Sequence, residues 1–150
     1  MKPLVIIANT PSPNTERLRA AVTEGAQSAD IKPIVLTPFE AHAEHILEAG
    51  AVILGTTENF GYMSGALKDF FERVYYPCLE ETQGLSVALY VKAGMDGTGA
   101  RRSVDNILAG LRWNQVQEPM ILQGEFQPEF LEQCEELGAG MAEGLKMGIF

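Results

Sequence analysis

Leu4-Val5-Ile6-Ile7-Ala8, followed at once by Asn9-Thr10-Pro11-Ser12-Pro13-Asn14-Thr15, opens the chain with an unbroken apolar run and then a polar turn. A half-buried strand would alternate apolar with polar residues, so a continuous run rich in β-branched side chains points to a strand covered on both faces of a parallel sheet. Leu18, Ala21, Val22 and Gly25 then recur at i, i+3, i+4 and i+7, which is one face of a helix. Strand, polar loop, helix is the opening unit, and the first strand belongs at the centre of the sheet.

The unit repeats along the chain. Pro33-Ile34-Val35-Leu36 reads as a second strand, residues 41–49 as a short helix, and Ala51-Val52-Ile53-Leu54-Gly55 as a third strand. Leu67, Phe70, Phe71 and Val74 mark the next helix, with Pro77 placed just past its end. Leu85 to Val91 reads as strand four. A glycine-rich loop over Lys92–Gly99 follows, then a helix bearing Val104, Ile107, Leu108 and Leu111. Residues 116–122 make a weaker fifth strand, which Pro119 restricts to an edge or a bulge. A last helix opens near Pro128 and buries Leu131, Cys134, Gly138, Met141 and Leu145. Five strands alternating with helices define an α/β, three-layer, doubly wound parallel sheet. Such sheets bind ligands where strands end beside a topological switch point, so the loops after strands one, three and four are the places to look.

The bulk properties agree with one domain over residues 1–150. No apolar run reaches the roughly 18–20 residues of a membrane span, and the N-terminus turns polar too early for a signal peptide. A cytoplasmic, membrane-free protein is the expectation. Cys78 and Cys134 have neither metal nor disulfide spacing, so two buried thiols are expected and no metal site is assigned. His42 and His45 lack further ligands nearby and read as solvated. A net charge of −9 argues against nucleic acid and suits a basic protein partner.

The first loop places Thr10, Ser12, Asn14 and Thr15 directly before a helix N-terminus, where hydroxyls and free N–H groups hold an anion or simply cap the helix. Thr10-Pro11-Ser12-Pro13-Asn14-Thr15 resembles the flavodoxin phosphate signature, a Thr/Ser-x-Thr/Ser-Gly-Asn-Thr run that wraps the FMN 5′-phosphate. Pro13 stands at the family's glycine, so either the turn differs or one amide contact is lost. The run from Gly55 to Lys68, Gly-Thr-Thr-Glu-Asn-Phe-Gly-Tyr-Met-Ser-Gly-Ala-Leu-Lys, resembles the ring-binding segment of the flavodoxin-like NAD(P)H:quinone oxidoreductases and FMN reductases. Thr57 replaces that family's proline.

The resemblance implies a flavodoxin-like fold of strand order 2-1-3-4-5 that binds FMN. It implies that Thr57, Glu58, Asn59, Phe60 and Gly61 line the isoalloxazine and that Ser64 caps the next helix. Ala93, Gly94, Met95, Asp96 and Gly97 would form the other half of the clamp, their backbone amides facing the ring's polar edge. Tyr62 and Met63 face either the flavin or a second protomer, as in a homo-oligomer. Arg101 and Arg102 either meet the 2′-phosphate of NADPH or are solvated.

Other users of this architecture fit less well. A response-regulator receiver needs an aspartate after strand three, where Gly55-Thr56-Thr57 stands. A low-molecular-weight phosphatase needs Cys and Arg in the first loop. Gly94 to Gly99 has P-loop spacing but is followed by Ala100-Arg101, and no dinucleotide-binding glycine fingerprint follows strand one. The function implied is an NAD(P)H-dependent oxidoreductase passing electrons through FMN to a quinone or flavin-type acceptor. The alternatives are a flavodoxin-type electron carrier serving a redox partner protein, and a relative that has lost FMN. No catalytic side chain is named, because the flavin carries the chemistry.

Overall fold

A computed structural model describes residues 1–150. Strands β1 (Leu4–Ala8), β2 (Ile34–Leu36), β3 (Ala51–Asn59) and β5 (Ser86–Ala93) are parallel neighbours in the order β2-β1-β3-β5. β4 (Tyr62–Met63) is a short antiparallel addition to the end of β3. On the far side of β5 lie β6 (Asn114–Gln115) and β7 (Met120–Gln123), both parallel to it. Once the two-residue β4 is set aside, this is the expected order.

Every residue of β1 is buried, as its unbroken apolar run requires. Alternate side chains feed two separate cores, one on each face of the sheet. Val5, Ile7, Val52, Leu54, Leu89 and Val91 meet α2 (Ala43–Leu47), α3 (Gly65–Cys78) and α4 (Thr98–Leu111). Leu4, Ile6, Ala8, Ile53, Ala88 and Tyr90 meet α1 (Pro13–Ser28) and α5 (Pro128–Lys146). Each helix presents the stripe read from the sequence, although Ile107, Leu131 and Leu145 are only partly buried and α5 buries Phe130 and Leu137 instead.

Three boundaries depart from the sequence reading. The expected strand over 116–122 is two pieces: Val87 pairs with Gln115 and Tyr90 with Met120, so two residues of β5 face the four residues Val116–Pro119. Pro119 sits in that bulge, where its missing N–H breaks no ladder. Pro77 lies inside α3. Burial of Phe70, Phe71, Val74 and Cys78 carries the helix through it, for the loss of one ladder bond. Third, β3 does not end at Gly55 but runs on to Asn59 and folds back as a hairpin.

Candidate functional site

β2 and β3 leave β1 on opposite sides, so the switch point lies between β1 and β3. There Asn9 N–H donates to the Gly55 carbonyl at 2.9 Å and Asn9 Nδ2 to Thr57 Oγ1 at 3.4 Å. Asn9 thereby ties the first loop to the second, a role its place in a polar run does not reveal.

The first loop is organised as a helix cap. Ser12 is the N-cap of α1 and Pro13 occupies its first turn. Ser12 N–H donates to Thr15 Oγ1 at 2.9 Å, Thr15 N–H to Ser12 Oγ at 3.2 Å, and Thr15 Oγ1 to the Ser12 carbonyl at 2.9 Å. The cap reading is thus realised at this turn, and it engages both hydroxyls. Asn14 is exposed and accepts from Arg17 at 3.4 Å, while Thr10 is half-buried.

The second loop is the β3–β4 hairpin. Glu58 pairs with Met63 and Asn59 with Tyr62, leaving Phe60 and Gly61 as a two-residue turn with φ of +52° and +70°. Two positive φ values match the right-handed twist of a hairpin, but they favour Asn or Gly at the first turn position. Phe60 is instead fully exposed there, at 107 % of its reference surface. An aromatic ring is held in water on a disfavoured backbone.

The hairpin is clipped to α4. Glu58 Oε2 accepts the Ala100 N–H at 2.9 Å, and Met63 N–H donates to Ser103 Oγ at 3.1 Å. A Cβ on Gly99 would lie 2.0 Å from the Gly61 carbonyl oxygen, so only glycine allows this approach. The Glu58 carboxylate is accordingly a cap for α4 placed on the α3 and α4 side of the sheet. Thr56 Oγ1 accepts the Ser64 N–H at 3.0 Å, and Ser64 caps α3 through Leu67 N–H at 3.1 Å. Gly99, Ala100, Ser103 and Thr56 are site-building residues that sequence reasoning missed, because their partners lie far along the chain.

The third loop follows β5. Ala93 points into the core and offers only its backbone, whereas Gly94, Met95 and Asp96 are exposed, Met95 at 74 %. Asp96 Oδ1 accepts the Thr98 N–H at 3.0 Å, and this bond holds its carboxyl below the usual carboxylate range. Gly97 is the left-handed N-cap of α4. Thr57, Phe60 and the Gly94–Asp96 backbone thus border one rim at the carboxyl ends of β3 and β5, with the first loop beside it. The exposed ring and the open backbone at Gly94 suit a flat ligand.

Other polar features are committed elsewhere. Arg101 pairs with Glu118 at 2.9 Å, His45 Nδ1 accepts the His42 N–H at 2.9 Å, and Trp113 is buried against Thr82. An open groove of about 350 Å³ between α3 and α4, lined by Phe71, Tyr75 and Tyr76, contains none of the three loops.

The order β2-β1-β3-β5, two covered faces and loops converging on the switch point define a flavodoxin-like α/β fold. The chain resembles a solved flavodoxin from the domain Archaea at a TM-score of 0.81, with 20 % identity, covering 97 % of this chain and 99 % of that one. A flavodoxin, WrbA-like protein from Agrobacterium tumefaciens superposes at 0.80 with 18 % identity, over 98 % of this chain and 99 % of that one. Rubredoxin oxygen:oxidoreductase from Desulfovibrio gigas gives 0.82 with 17 % identity, this chain matching 99 % of its own length and 38 % of that one. In sequence, a flavodoxin of Aquifex aeolicus (strain VF5) is 29 % identical over 112 residues, 74 % of this chain. That match spans 60 % of the relative's length. No family model matches the chain.

Proposed function

We propose that this protein is an FMN-binding oxidoreductase that takes electrons from NAD(P)H and passes them to a quinone or flavin-type acceptor. The observation that carries the proposal is Phe60, a fully exposed aromatic ring on a left-handed turn whose strut is fastened to α4 by Glu58 and Gly99. Holding a non-glycine residue in the left-handed region opposes folding, and such strain concentrates where a ligand is received, here with an aromatic face left open to water. The resemblance of Gly55–Lys68 to the quinone oxidoreductase segment supports a flavin as that ligand, as do relatives named as flavodoxins and as WrbA-like.

When bound, FMN would supply the electron-accepting chemistry. The chain's residues would orient and screen it. Phe60 would cover one side of the ring, Asn59, Gly61 and Thr57 would present backbone groups at its edge, and Gly94, Met95 and Asp96 would approach from β5. Thr10 and Asn14 would meet the phosphate. No side-chain acid or base is required, and none is assigned.

An electron carrier reduced by a separate protein is the second reading, favoured by the net charge of −9 and by the flavodoxin relative. Anaerobic visible spectra separate the two after reconstitution with FMN. Bleaching of the bound flavin by NADH or NADPH is expected for the oxidoreductase. Reduction by dithionite but by neither nicotinamide would favour the carrier, and absence of bound flavin would remove both.

A further inference from the structure

Tyr76 stands on the outer face of α3 with 81 % of its surface exposed, its ring edge-on to that of Tyr75 at 5.4 Å. Tyr75 turns the other way. A Cβ on Gly110 of α4 would come within 2.2 Å of the Tyr75 hydroxyl, so the ring lies across the seam between the two helices. Phe71, Tyr75 and Ile107 line the groove along that seam, and Tyr76 stands at its wall. A projecting aromatic and an apolar groove therefore sit side by side on one face. A twofold contact between identical surfaces needs that pairing, since each copy must supply both the knob and its receptacle.

Charge favours the same face. The chain carries a net −9, which drives copies apart, but the excess is unevenly placed. α5 bears five glutamates and one lysine, and its neighbour α1 two glutamates and two arginines. On α3 two cations and two carboxylates cancel, Lys68 pairing with Glu72 at 3.3 Å and Arg73 with Asp69 at 2.9 Å. α4 sets two arginines against one aspartate. Acid meets acid wherever two copies approach through α5, whereas the face of α3 and α4 brings no net negative charge into the contact.

We infer that a second copy of this chain covers the groove, in an isologous dimer through α3 and α4. Tyr76 of each protomer is seated between Phe71, Tyr75 and Ile107 of the other. The inference is independent of the flavin reading above. Each of the two helices has 14 residues and is about 21 Å long, so the patch is at the small end of specific interfaces. The dimer is accordingly weak, with a dissociation constant of about 1–100 μM.

Sedimentation equilibrium of the full chain, loaded from about 1 μM to about 1 mM, tests this directly. The mass should rise from 16.3 kDa toward twice that value. Added salt should tighten the dimer, because it screens the repulsion between two acidic chains and leaves the apolar contact in place. Tyr76→Glu should keep the chain monomeric across the range, and Tyr76→Phe should leave the dimer intact. Because Tyr76 is exposed, neither variant disturbs the core, and thermal melts check that both fold. A parent chain still monomeric at about 1 mM would overturn the inference and leave the groove to a foreign partner. A dimer that survives Tyr76→Glu, or one that salt dissociates, would overturn it too, placing the contact on another face or on ion pairs.

Discussion

Phe60 carries one local penalty and lacks the usual gain of an aromatic residue. Its left-handed backbone costs about 1 kcal/mol relative to glycine, and its exposed ring gains nothing from the core. Phe60→Gly should therefore raise stability by about 1 kcal/mol in urea denaturation while weakening flavin affinity at least tenfold in titration. A loss of stability would show that the ring packs in solution and would undercut its proposed role. Gly55 shows the opposite logic. A Cβ there would meet the Tyr90 ring at 2.3 Å, so Gly55→Ala should cost about 1–3 kcal/mol, and Tyr90→Leu should relieve part of that penalty in a double-mutant cycle. Tyr90 is 3 % exposed, burial pushes its phenol above the usual range, and its hydroxyl has no partner. Removing an unsatisfied buried hydroxyl is favourable, so Tyr90→Phe should gain about 1 kcal/mol.

The hairpin and α4 form one mechanical unit, and the sequence hides it. Its turn is Phe60-Gly61, without the Asn-Gly or Asp-Gly pair that marks a two-residue hairpin, and β4 is two residues long. Its fastening depends on Glu58 meeting Ala100 and Gly61 meeting Gly99, and no local periodicity encodes contacts across such separations. Glu58→Ala should therefore loosen the two loops together, with faster amide exchange at Ala100 and at Met63 and a stability loss of about 1–2 kcal/mol. If only Ala100 responded, the hairpin would be held by other contacts. Asp96 adds a pH dependence at the same helix end. Its folded pKa lies below its ordinary value of 3.8, so its contribution is complete above that value and is lost as pH falls through the lowered one. Protection of the Thr98 amide, relative to its intrinsic exchange rate, should fall on acidification below about pH 4, and Asp96→Asn should abolish that acid step.

Across the molecule, the layered architecture was legible because each buried element repeats a simple pattern. β1, the core of β3 and β5 are continuous apolar runs, and the helices carry stripes at i, i+3, i+4 and i+7. The candidate site was legible only as a set of loops, since hydrogen bonds such as Asn9 to Thr57 depend on the strand order and not on spacing. The sheet also divides the interior into two cores, which raises the question of whether they unfold together. Cys78 lies in the core beneath α3 and α4, Cys134 in that beneath α1 and α5. Burial pushes the Cys78 thiol up to about 11 and Cys134 to about 12, so neither should react with a thiol reagent at neutral pH in the folded chain. Strands β1, β3 and β5 contribute side chains to both cores, so melting one face removes the support of the other. Thiol labelling across a urea series should then give one opening free energy for both cysteines, equal to that from circular dichroism. If Cys134 labelled at a lower free energy than Cys78, α5 would detach as a separate unit, and the first loop, held by α1 against α5, would be the part of the site most easily disordered.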